Sequence, residues 1–324
     1  MQTSKNYLFN YLANELRPMF KRQYLREDIG AAIAVAFVAI PLSLAVALAT
    51  GVAPQVALIS AVIGGILGAV FGGSRLGITG PAVAMSVLLA GVLQDFGFAG
   101  LLIVGLICGL LQISLGILKL GRIAKYIPLS LVLAFTAGIG FLLFFEQLPY
   151  AFQIAGQTNN TITQTYSNLH LYAHHVSSAG FGLAALTIAI LTIVPRFLPR
   201  AYAFFFAVLI PMTLAHVTNI SVATVGMLPH DIFHPTVIDF NLINDWPKLA
   251  LTGLEVFILA SLETLLSLSA VDLMGKGDLH NPSQELIGQG VANIGVALFG
   301  GIPVSGIVAR SSVNVLAGAK TRRA

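Results

Sequence analysis

Charge is what this sequence has least of. Aspartate, glutamate, lysine and arginine together make up 9% of the 324 residues, while 56% are hydrophobic. A soluble domain carries roughly 25% charged residues, so this composition does not supply a water-exposed globular surface. Mean hydropathy is +0.88, which points to a polytopic membrane protein with nearly the whole chain in the bilayer. There is one cysteine, Cys108. It lies in an apolar run, which excludes a disulfide framework and suits a buried, inert thiol. The net charge of +4 comes from basic residues scattered among loops rather than from an aromatic-interleaved patch, so a nucleic-acid surface is excluded. Residues 1–27 lack the apolar core and cleavage site of a signal peptide and read as a cytoplasmic N-terminal segment. No apolar segment carries a nucleophile–base pair or a metal-ligand helix, which argues against an intramembrane enzyme.

What the chain does have is apolar segments. Ten are predicted, at roughly 29–51, 56–73, 80–94, 97–118, 128–149, 179–196, 201–217, 248–271, 284–299 and 302–317. Most approach the ~20 residues that a span requires. Asp28 and Lys248 mark the starts of the first and eighth. With the N-terminus in the cytoplasm, the inner loops take nearly all the lysine and arginine. The outer loops, 150–178 and 218–247, contain none. That asymmetry fixes the orientation and supports the span count. Arg310 is the exception. It falls inside the tenth segment, where it is expected to snorkel, to pair with an acid, or to add positive potential to an anion site. His174, His175, His230 and His234 lie in the outer loops without a carboxylate or cysteine cluster, and a solvated loop face is the simpler reading than a metal site.

The third and tenth segments are short and alike. Residues 77–91 read GITGPAVAMSVLLAG and residues 300–318 read GGIPVSGIVARSSVNVLAG. Each has glycines, a proline (Pro81, Pro303), small apolar residues and a closing Leu-Ala-Gly. Paired short Gly/Pro-interrupted segments are the sequence pointer to a transporter binding site. A helix that begins inside the bilayer aims its free N–H groups and the positive end of its dipole at the gap. The expected substrate contacts are therefore Gly80, Pro81, Ala82 and Val83 in segment three, and Pro303, Val304, Ser305 and Gly306 in segment ten. Each proline is read as standing in a first helical turn, where its missing N–H costs nothing. The competing reading is close packing of small residues. Segments one to three match eight to ten, an offset of seven. Seven is odd, so the repeat is inverted, and a second copy of only three segments predicts a fragment of a longer protein or a need for a partner.

Glu263, in LASLETLLSLSA of segment eight, is a carboxylate in the middle of a span and so a functional candidate by default. Ser267 lies one turn further along the same face. Together they are expected to hold a coupling cation, either Na⁺ through hard oxygen ligands or a proton. The alternative is a structural hydrogen bond to a half-helix. Glu255 is placed nearer the outer side, and Glu146 at an outer helix end. In segment one, Pro41 is expected to kink the helix and Ser43 to donate a hydrogen bond to the substrate. No other metal and no organic cofactor is indicated.

Four stretches carry a family resemblance: REDIGAAIAVAFVAIPLSLAVALATGVAP, FGGSRLGITGPAVAMSVLL, IPLSLVLAFTAGIGFLLFFEQL and NPSQELIGQGVANIGVALFGGIPVSGIVARSSVNVLAGAKTRRA. They resemble the SulP inorganic anion transporters, or sulfate permeases, from about residue 25 to the end. The last is the most specific, with Asn281, Pro282, Gln284, Glu285, Gln289, Gly290, Asn293, Phe299, Gly300, Gly301, Pro303, Arg310, Asn314, Gly318, Thr321 and Arg322 in the family's pattern. Leu42 stands where many members have glutamine, and Ser305 where threonine is common.

The resemblance implies an all-α polytopic fold, a seven-plus-seven inverted repeat of which this chain holds ten segments. Residues 28–324 form the transporter domain. Segments 1–4 and 8–10 would be the core and 5–7 part of a gate. By that implied plan, segments 11–14 and a STAS domain would be absent from these 324 residues. It implies substrate between segments three and ten, drawn from sulfate, bicarbonate, chloride or dicarboxylates, with Na⁺ or H⁺ coupling or exchange. Glu263 and Ser267 match the family's cation position. The expectation is secondary active transport of a small inorganic anion of the sulfate or bicarbonate class, in the inner membrane of a bacterium, by a protein that is a homodimer at full length. A passive anion channel and a nucleobase transporter of similar fold are the alternatives. Ala82, Val83 and Val304 supply no polar groups for a base edge.

Overall fold

The computed structural model describes residues 22–122, 177–198, 200–220, 235–243, 245–274 and 279–324, with isolated positions between 128 and 151. Segment five, Glu146 and the four outer-loop histidines named above therefore lie outside, or at the margins of, the described residues.

The long helices are α1 (Leu25–Thr50), α2 (Pro54–Phe71), α3 (Val83–Ile117), α4 (Ser178–Ile193), α5 (Arg200–Val217), α6 (Trp246–Met274) and α7 (Pro282–Leu298). A short α8 (Val308–Leu316) follows. Two two-residue strands, β1 (Thr79–Gly80) and β2 (Ser305–Gly306), immediately precede the helical parts of segments three and ten. Helix ends follow local chemistry. Gly51 closes α1 at φ 81°, a left-handed conformation in which glycine escapes the Cβ penalty, and Pro54 opens α2. Asn281 caps α7 by accepting from Gln284 N at 3.2 Å, with Pro282 at the first helical position. α3 holds two predicted segments, broken at Gly97, whose φ of 67° is non-helical. Pro41, by contrast, does not break α1, which runs through it as one helix.

Among the described residues, five helices, α1–α4 and α6 with short 3₁₀ extensions on α1 and α4, are long and apolar enough to cross a membrane. α7 is different. It has 17 residues, and its buried face carries Gln284, Glu285, Gln289 and Asn293. It fits among α2, α3 and α6 because Gly109 and Gly290 face each other. A methyl on either would press into the other's carbonyl oxygen, at 2.6 Å or 2.5 Å. A polar helix face is tolerated there because each side chain finds a partner within the bundle.

Hydrogen bonds place the ends of the core on two sides. On one side, Asp28 accepts from Lys320 N at 2.9 Å, Thr321 N at 3.0 Å and Thr321 Oγ1 at 2.6 Å. Arg322 donates to the carbonyls of Ala69 and Gly72. Asn281 N donates to Gly73 O, while Glu285 accepts from Gly73 N and Ser74 N. On the other side, Lys248 bridges to Asp95 at 2.9 Å and Thr236 N donates to Leu298 O. α1 thus runs from the first side to the second, and α6 from the second to the first. The run α1–α2–β1–α3 and the run α6–α7–β2–α8 cross the layer in opposite senses, as an inverted repeat requires. α5 packs on α1 through an edge-to-face pair, Phe37 with Phe205 at 4.8 Å.

Candidate functional site

The two repeated segments meet at the middle of the core as an antiparallel ladder, Thr79 opposite Gly306 and Gly80 opposite Ser305. Ile307 N extends it by donating to Ile78 O at 3.0 Å. The approach to β2 is extended because other helices hold its backbone. Ser60 Oγ on α2 accepts from Ile302 N at 2.8 Å. Asn293 on α7 accepts from Val304 N at 2.7 Å and donates to Val304 O at 3.0 Å. Thr264 on α6 accepts from Gly306 N at 2.8 Å. Each contact satisfies a backbone group that would otherwise stand unpaired in a buried, non-helical stretch.

This corrects one reading of the sequence. Neither proline lies in a first helical turn. Pro81 precedes α3 by two residues and Pro303 precedes α8 by five, so only residues 308–316 of segment ten are helical. The side chains that pin 302–306 are distant in sequence, and their competition with helix formation is invisible there.

α3 and α8 both begin without a side-chain cap. Ala82 and Ile307 are the capping residues, and neither has an acceptor. Their first-turn N–H groups carry the positive dipole end, and among the described residues no side-chain cap hydrogen bond answers it. Arg310 stands in the first turn of α8, 1% exposed. Its Nη2 donates to Ser43 Oγ at 2.9 Å and to Pro81 O at 3.4 Å, and a methyl on Gly80 would overlap its guanidinium. Its Nε is buried without a partner among the described residues. Arg310 therefore neither snorkels nor pairs with an acid among the described residues. It is a buried cation whose protein acceptors are neutral.

Across the ladder lies the opposite case. Glu263 is 3% exposed and accepts from Ser305 Oγ at 2.8 Å. No basic side chain pairs with it among the described residues. Ser267, fully buried, has an Oγ with no partner among the described residues. A buried ionisable group held only by neutral groups is costly in its charged form, and here one acid and one base flank the same two strands.

The structure brings most of the sequence-nominated residues together. Gly80, Pro81, Ala82 and Val83 form the turn into α3. Ser305 and Gly306 form β2. Pro303 packs behind the ladder, its ring edge 3.7 Å from a methyl built on Gly105. Val304 is buried against Ala292 and Val296 with both backbone groups used by Asn293. Ser43 is fully buried, and its hydroxyl donates to Ala39 O at 2.7 Å while accepting from Arg310. It therefore reaches the crossing through Arg310. Glu255 is exposed on α6. Sequence reasoning missed Ile307, Val308 and Thr264. A signal was present: aligning the repeats on Val-Ala-x-Ser, 83–86 with 308–311, rather than on proline, sets Met85 opposite Arg310. Ser86 and Ser311 then match, each donating back into its own turn.

This fold and this crossing define a polytopic membrane domain built on paired half-helices. The sulfate permease family model matches residues 25–324, and the chain belongs to that family. It is 33% identical over 265 residues to a protein named putative sulfate transporter YvdB from Bacillus subtilis, covering 76% of this chain and 48% of that one. It is 28% identical over 277 residues to the bicarbonate transporter BicA of Picosynechococcus, covering 77% and 46%. The chain thus spans about half the length of these relatives. Among solved structures, the transmembrane domain of a cyanobacterial BicA superposes with a TM-score of 0.77 at 25% identity, over 94% of this chain and 80% of that one. Murine Slc26a9, an anion transporter in an inward-facing state, gives 0.77 at 16% identity over 99% and 58%, a likeness of fold alone.

Proposed function

We propose that the protein carries a small inorganic anion of the sulfate or bicarbonate class across the membrane by secondary active transport. The observation that carries this reading is the buried, acid-free Arg310 between two uncapped helix N-termini. An anion there takes N–H groups from both first turns and a charge-assisted bond from the guanidinium. Glu263 and Ser267 are the coupling site, for Na⁺ or a proton. Ser305 links the two, since it touches Glu263 and pairs with Gly80 beside Arg310. Both ions neutralise buried charge, so the doubly loaded core moves through the apolar layer at lower cost than the empty one. The moving part is the core of segments 1–4 and 8–10 against segments 5–7. The membrane is the bacterial inner membrane with the basic N-terminal side in the cytoplasm, and the full-length protein is a homodimer.

Uptake of labelled sulfate and bicarbonate into proteoliposomes under imposed Na⁺ and pH gradients tests the reading. Gradient-driven accumulation above equilibrium supports it. Flux that only follows the anion's own electrochemical gradient would establish the channel alternative instead.

A further inference from the structure

We infer that Met85 limits the crossing to one cationic group, and so makes the site select singly charged anions over doubly charged ones. This narrows the substrate of the transport reading proposed above and rests on that reading. α3 and α8 begin at Val83 and Val308, 225 residues apart. Gly80 and Ser305, separated by the same interval, face each other across the two strands. One pseudo-twofold axis between Gly80 and Ser305 therefore relates the repeats. The same interval carries Thr50, the end of α1, to within one residue of Met274, the end of α6.

Both ionisable groups at the crossing have apolar counterparts across that axis. Arg310 corresponds to Met85, each the third residue of its helix. Glu263 corresponds to Val38, Ser267 to Leu42 and Ser43 to Leu268. Met85 is fully buried and packs in the same apolar cluster as Ala82, Val83 and Ile307, residues at both helix starts. The repeat that could have supplied a second guanidinium thus supplies a thioether. No other basic side chain takes its place. Across all ten apolar segments of the sequence, lysine and arginine occur only as Arg196, Lys248 and Arg310, and the first two stand at segment ends. Segment five, 128–149, has neither. Buried Arg322 lies past the segments and donates to carbonyls at the end of α2, those of Ala69 and Gly72.

The number of full charges then selects the ligand. Glu263 is neutral once loaded, whether as a carboxylate holding Na⁺ or as a protonated acid. Arginine keeps its proton in proteins, so a core loaded with its coupling ion carries one positive charge at the crossing. A singly charged anion brings that to zero. A doubly charged anion leaves one negative charge buried without a counter-charge, and carrying it through an apolar layer is costly. The uncapped helix ends offer N–H groups to an anion of either charge, so the count of guanidinium groups decides between them. One cation then accompanies one anion, and the cycle moves no net charge.

The test is uptake of labelled bicarbonate and labelled sulfate by proteoliposomes of the purified protein, under imposed Na⁺ and pH gradients. Potassium and valinomycin set the membrane potential to zero or inside-negative, and protein-free liposomes correct for permeation by carbon dioxide. Bicarbonate should accumulate at a rate that the potential does not alter. Sulfate should enter at least about tenfold more slowly, the worth of one charge-assisted hydrogen bond. Met85→Arg adds the missing cation and should raise sulfate uptake relative to bicarbonate by at least about the same factor. Damage to packing alone would lower both rates together and leave their ratio unmoved. Should Met85→Arg misfold, the parent protein's own preference decides the matter. Equal accumulation of both anions by the parent, or an unchanged ratio in a folded Met85→Arg, overturns the inference and leaves the transport reading standing. Accumulation of neither anion under any gradient defeats that reading, and the inference with it.

Discussion

Ser305 donates its hydroxyl proton to Glu263 at 2.8 Å, and its partner across the ladder, Gly80, lies against the Arg310 guanidinium. A buried carboxyl group and a buried guanidinium are thus joined through two paired residues. Any displacement of β2 moves the surroundings of both.

Glu263→Gln keeps an oxygen able to accept from Ser305 but removes the charge. Folding should persist, with thermal stability equal to or above that of the parent protein, because an unpaired buried charge is removed. Dependence of uptake on the Na⁺ or pH gradient should vanish. Proteoliposome uptake with and without each gradient is the measurement, and gradient-driven accumulation that survives in this variant refutes the coupling role.

Arg310→Gln removes the cation at the helix ends. A charge-assisted hydrogen bond is worth roughly 1.5–3 kcal/mol, so apparent anion affinity should fall about ten- to a hundredfold. Arg310→Lys should not restore it, since an ammonium is a compact point charge that lacks the planar guanidinium lying against Gly80. Concentration dependence of initial uptake rates reads this directly, and wild-type affinity in the lysine variant would contradict it.

Gly80→Ala adds a methyl where the guanidinium lies. Arg310 must leave its position or the ladder must open, and uptake should be lost even though no charge has changed. Combining Gly80→Ala with Arg310→Ala should recover thermal stability relative to Gly80→Ala alone without recovering uptake. Differential scanning fluorimetry beside the uptake assay separates the two effects.

Asn293→Leu strips Val304 of both backbone partners and Gln112 of another. Leaving such buried groups unpaired costs about 1–3 kcal/mol each, so a fall in melting temperature of several degrees is expected. Asp95→Asn, which breaks the exposed bridge to Lys248, should leave the melting temperature within error. A larger loss from Asp95→Asn than from Asn293→Leu would invert the assignment of what holds the core.

The membrane character, the alternation of segments, their inverted order and the identity of the repeated pair were legible in the sequence. They depend on hydropathy, on where lysine and arginine fall, and on glycine and proline, and those act locally. The place of Glu263 and Ser267 on one helix face was legible for the same reason, as helical spacing fixes it. The start of α8 was not. Residues 302–306 are extended because Ser60, Asn293 and Thr264 take their backbone groups, and those residues come from three other helices. The setting of Arg310 was likewise decided by the tertiary structure alone. Its spacing along segment ten fitted a snorkelling cation, but folding turned it inward, against Gly80 and the Pro81 carbonyl from the other repeat. Local pattern determined which segments are apolar enough for a bilayer and that the two repeats run in opposed senses. Only long-range packing determined which side chains hold the backbone of 302–306 and set Glu263 and Arg310 beside it.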